Sequence, residues 1–185
     1  MNPDVQKILS LGPCDDAAQW IMDHADEGTY SLWRKCNHGD WLLWLAAQVG
    51  VDRKLTVLAA CDCAETALRF LPSTEERPAR AIATAQAWCR CEATLDQVRI
   101  AASAAYAAAY AAYAAANAAY AADAAANAAY ANAADAAYAA YAANNAAGAR
   151  ARARASTRRE CARLVRRQIP WRVVRGAIRS YGVTS

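Results

Sequence analysis

Two C-x-C pairs, "CDC" at Cys61 and Cys63 and "CRC" at Cys89 and Cys91, are the residues of this chain best suited to inorganic chemistry, because four thiolates make a zinc ligand set. Both pairs sit in segments that read as helix, where side chains two residues apart point about 200° away from each other. One C-x-C therefore cannot easily turn both sulfurs toward one ion, and the expectation is small core thiols with neither metal nor cofactor. The seven cysteines (Cys14, Cys36, Cys61, Cys63, Cys89, Cys91, Cys161) lie mostly among Ala, Trp and Leu, and their odd number argues against a disulfide framework. His24 and His38 are the only histidines, and with no ligand-spaced partner they are expected to be surface or locally satisfied residues. A cysteine nucleophile would need one of them as its base, and no spacing singles out a pair. Gly-rich phosphate loops, H-E-x-x-H, G-x-S-x-G and carboxylates paired in a pocket context are absent from the sequence. Asp15, Asp16, Asp23, Asp26 and Glu27 fall at helix starts and exposed faces, where capping and solvation account for them. The expectation is a protein that is not an enzyme.

Charge gives a second kind of chemistry. The formal net charge is +4, but 150–185 holds eleven arginines against the single acid Glu160, a net +10, which leaves the rest of the chain at −6. Such asymmetry suits a nucleic-acid or acidic-protein partner, and Arg158, Arg159, Arg163, Arg166 and Arg167 form a candidate basic site. The same residues could instead lie against the acidic N-terminal half. In "PWRVVRGAIRSYG", Trp171, Val174 and Ile178 fall at i, i+3 and i+7, and Cys161, Leu164, Val165 and Ile169 share one side of the preceding helix. Apolar residues at that spacing are more often core than recognition surface.

All the periodic segments read as helix, so the expected class is all-α, an irregular bundle within one domain. Asp15–Asp26 forms a short amphipathic stretch stopped at Gly28. "DWLLWLAAQVG" offers Asp40 as N-cap and Gly50 as the residue after the C-cap, and Asp52 opens a longer helix ended by Pro72. Two capping boxes follow, Ser73 with Glu76 and Thr94 with Gln97, each a helix start. Pro78 falls five residues after the first cap and should bend its opening turns. The expected hydrophobic core runs from Asp15 to Cys89.

The second box leads into Ala101–Ala147, 47 residues of which 32 are alanine and none Gly or Pro, a composition that all but forces helix. Unbroken it would span roughly 70 Å, so it either projects or folds back as a hairpin. Tyr106, Tyr110, Tyr113, Asn117, Tyr120, Asp123 and Asn127 step by three and four along it, most within an arc of about 160°. That stripe either keeps the helix in solution or binds a partner through rigid amphipathic rings. Ice binding, open to some alanine-rich helices, is disfavoured because regular threonine is lacking. The segment is also too weakly hydrophobic to span a membrane. "MNPDVQKILS" has no signal-peptide pattern, so a cytoplasmic protein is expected.

Taken together, "DWLLWLAAQ", "LAACDCAETAL", "ERPARAIATAQAWCRCEATLDQVR", the Tyr-studded alanine run and "LVRRQIPW" resemble the immunity proteins of bacterial polymorphic toxin systems, in the group likened to the fifth numbered immunity class. The similarity covers about residues 30–172. It implies a bacterial or phage-borne antitoxin-like protein that binds a toxin domain and blocks it without catalysis. Two features depart from that pattern: Cys91 stands where glycine or another small turn residue is expected, and the C-terminus is basic where many nuclease-blocking members are acidic.

Overall fold

A computed structural model describes residues 2–68, 74–104 and 155–182. The fold is all-α, and no strand occurs among the described residues. In chain order the helices are α1 (Pro3–Ser10), α2 (Asp15–Asp23), a 3-10 turn (Ala25–Glu27), α3 (Gly28–Lys35), α4 (Gly39–Gln48), α5 (Arg53–Leu68), α6 (Arg77–Cys89), α7 (described over 95–104), α8 (described over 155–168) and α9 (Trp171–Ser180).

Local chemistry sets many of the boundaries. Asp52 caps α5, its Oδ1 accepting from the backbone N–H groups of Lys54 at 2.9 Å and Leu55 at 3.1 Å. Thr94 and Gln97 close the expected capping box, with Gln97 Oε1 accepting from the Thr94 N–H at 2.7 Å and Thr94 Oγ1 from the Gln97 N–H at 3.2 Å. Gly50, at φ 78°, ends α4 in a Schellman motif: its N–H donates to Ala47 and that of Val51 to Ala46. The same motif ends α6 with Cys91, at φ 64°, in the position glycine usually fills, its N–H donating to Trp88 and that of Glu92 to Ala87. Cys91 thus stands in a turn position of the kind where glycine or another small residue is expected. A side chain in left-handed backbone costs on the order of 1–3 kcal/mol.

Other boundaries differ from expectation. α4 starts one residue before Asp40, with His38 at the N-cap, so Asp40 sits in the first turn as a dipole partner. α6 starts at Arg77, after the 73–76 box, which places Pro78 in the first turn where its missing N–H has no intrahelical acceptor to lose. The Asp15–Asp26 stretch ends as α-helix at Asp23, and Gly28 opens α3.

The core is wider than the expected Asp15–Cys89. Val5 and Ile8 of α1 join Ile21, Leu32, Trp33, Leu42 and Ala46 in one cluster, and the basic C-terminal helices complete it with Ala162, Val165, Ile169, Val174 and Ile178. Val165, Ile169 and Val174 have no exposed surface. The physical reason is that α1 to α5 leave an apolar face open, and the one-sided apolar stripes of α8 and α9 close it.

Candidate functional site

The described residues that stand apart chemically are the arginines of α8 and α9, and the packing beneath them fixes where they point. On α9, Val174 and Ile178 are buried, whereas Arg172, Arg175 and Arg179 are exposed and, at a spacing of three and four, share an arc of about 60° on the opposite side. α9 is held at its end by α1, where Lys7 Nζ donates to the Ile178 carbonyl at 2.8 Å and stands 5.9 Å from the centre of the Tyr181 ring.

α8 is held more closely still. Gly39 of α4 lies so near it that a Cβ there would come 2.5 Å from Cys161 Cβ, 2.8 Å from the Cys161 carbonyl carbon and 2.9 Å from the Ala162 nitrogen. Cys63 Sγ of α5 donates to the Cys161 carbonyl at 3.6 Å. The candidate basic site divides across this helix. Arg166 turns inward, one guanidinium nitrogen donating to the Cys36 carbonyl at 2.7 Å and the Trp33 carbonyl at 3.3 Å, groups that the end of α3 would otherwise leave unpaired. Arg167 pairs at 2.9 Å with Asp62, whose same oxygen accepts from Gln168. Arg158, Arg159 and Arg163 are exposed and form no ion pair among the described residues. Arg166 and Arg167 are therefore built into the scaffold. The basic end docks chiefly through its apolar faces, with Arg167–Asp62 as its one ion pair among the described residues.

Tyr106, Tyr110, Tyr113, Asn117, Tyr120, Asp123 and Asn127 lie outside the described residues. The four C-x-C sulfurs do not gather into one ligand set among the described residues. Cys61 and Cys89 are buried, Cys63 faces α8, and exposed Cys91 accepts from Lys54 Nζ at 2.8 Å. No group of three or more His, Cys, Asp or Glu side chains is placed to hold a metal among the described residues. Burial pushes the thiols of Cys36 and Cys61 up to about 11 and that of Cys63 to about 12. Cys36 donates to the His38 carbonyl at 3.5 Å. His24 is locally satisfied, its Nδ1 lying 2.9 Å from the Trp20 carbonyl oxygen. His38 departs from expectation: it is half-buried, and its Nδ1 is shielded from solvent without a hydrogen bond.

An apolar cavity among Trp20, Trp33, Trp41 and Trp44 measures about 40 Å³, room for a few waters at roughly 10–15 Å³ each. Among the described residues, no helix is long and apolar enough to cross a membrane. No family model, curated protein or solved structure matches the chain. The functional reading accordingly rests on the residues themselves.

Proposed function

We propose that the chain is a non-catalytic binding protein of the immunity or antitoxin kind, which neutralises a toxin domain or another acidic protein by covering it. The observation that carries this reading is the arginine stripe of α9, Arg172, Arg175 and Arg179, exposed opposite the buried Val174 and Ile178. On a helix fixed in the core the backbone beneath these guanidinium groups is already ordered before they meet carboxylates, and each can engage one through two parallel hydrogen bonds.

Phosphates fit the stripe as well as carboxylates do, so a nucleic-acid partner is the second reading. The two part on salt: nucleic-acid binding should weaken with a slope of about −0.9 per phosphate contacted on a double-logarithmic plot, whereas a protein interface with a desolvated centre changes modestly. A tagged chain exposed to nuclease-treated host lysate is expected to retain a protein partner, and the combined Arg172→Glu, Arg175→Glu and Arg179→Glu changes should abolish retention. Release of everything bound on nuclease treatment would assign the stripe to nucleic acid.

A further inference from the structure

The loop between α3 and α4 and the first described turn of α8 flank an open pocket of about 110 Å³ lined by Asn37, His38, Ala155, Arg158 and Arg159. That is several times the roughly 10–15 Å³ needed by a single water, enough for a phosphate. The contact of Gly39 with Cys161 and Ala162 brings loop and helix together, although more than a hundred residues separate them in sequence. The ring of His38 is held by stacking on Trp41, with centroids 3.8 Å apart and planes 15° from parallel. Its Nδ1 is out of reach of solvent and makes no hydrogen bond, the nearest carboxylate oxygen, Asp40 Oδ1, standing 3.8 Å away. Arg158, Arg159, Asn37 and His38 thus border one small space, which the shielded Nδ1 does not itself reach, and Asp40 and Asp16 are the carboxylates that act on His38. The lining can donate many hydrogen bonds and carries positive charge, a combination that suits an oxyanion and repels a cation.

We propose that this pocket between the α3–α4 loop and α8 is a binding site for a phosphate-type oxyanion, with Arg158 and Arg159 supplying the charge and Asn37 and His38 the polar wall. The site stands independently of the partner proposed for α9, because none of the α9 arginines lines it.

His38 couples the site to pH. In the free protein burial lowers its pKa below the ordinary imidazole value, Asp40 opposes this, Arg158 lowers it further and Asp16 raises it; Arg159 lines the same pocket. A bound dianion favours the imidazolium, so its pKa rises on binding, and affinity increases as pH falls through the titration of His38. Sulfate is the suitable probe for this dependence, since its own charge stays constant there.

The test is a titration of the whole chain with inorganic phosphate, followed by NMR at the His38 ring and the arginine side chains, with chloride at matched ionic strength as control. Saturable shifts with phosphate and none with chloride are expected. Arg158→Gln and Arg159→Gln, both at exposed positions, should each weaken binding by about tenfold while circular dichroism stays unchanged. With sulfate, the His38 pKa should move up. Tighter binding of methyl phosphate than of inorganic phosphate would identify the natural ligand as a phosphoryl group carried on a larger molecule, and the reverse order as the free ion. Shifts reproduced by chloride, or variants that bind phosphate like the parent, would overturn the site.

Discussion

Replacing Ile169 with alanine is expected to destabilise the protein by about 2–5 kcal/mol, read as a fall in the midpoint of urea unfolding at constant slope. Ile169 has no exposed surface, belongs to the main core cluster and sits where α8 hands over to α9, its N–H donating to the Val165 carbonyl at 2.8 Å. Truncation there removes three carbons from a site bounded on several sides, which leaves a cavity that helices anchored elsewhere fill poorly. Ile169→Val should cost only about 0.5–1.5 kcal/mol. Arg163→Ala, on the exposed side of the same helix, should stay within about 0.5 kcal/mol of the parent. An Ile169→Ala variant as stable as the parent would mean that the arginine-rich end does not complete the core.

Gly39→Ala is the second large effect. The added methyl would meet Cys161 Cβ at 2.5 Å, and it would meet two backbone atoms of α8, at 2.8 and 2.9 Å, that no side-chain rotation can move. α8 must shift as a unit, against the contacts of Ala162, Val165 and Ile169 and the hydrogen bonds of Arg166. A loss of about 1–3 kcal/mol or more is expected, again from urea unfolding. Adding Cys161→Gly should recover only part of it, because the backbone contacts remain. Full recovery would show that the crowding came from the cysteine side chain alone.

How much of this was legible in the sequence depended on whether the deciding interaction was local. Asp52, Thr94 with Gln97, and Gly50 act on backbone groups within a few residues, so their capping roles could be read from residue type and spacing. The spacing of Val174 and Ile178 likewise identified the buried side of α9. Helices α1 and α3 went unrecognised: each has eight residues, too few for a clear period, and the stability of each comes from neighbours distant in sequence. Ser73 of the 73–76 box lies outside the described residues, and Pro78 suits the observed helix start at Arg77.

The candidate site was legible in part. Composition pointed to the arginines, but their division into Arg166 and Arg167, which tie helices together, and Arg158, Arg159 and Arg163, which face outward, is set by the ends of α3 and by Asp62, none of them near in sequence. His38 was read as a surface or locally satisfied histidine because nothing adjacent signalled the approach of α8.

Central to this account is that the arginines are displayed by helices integrated into the core, rather than by a loose basic tail. Hydrogen exchange of the free chain, followed peptide by peptide over 155–182, tests this most directly. The account predicts that amides of α8 and α9 are protected to the same degree as those of α3 and α4, because all four share one cluster of buried side chains. Exchange over 155–182 at the rate of an unstructured chain, with α3 and α4 still protected, would contradict it.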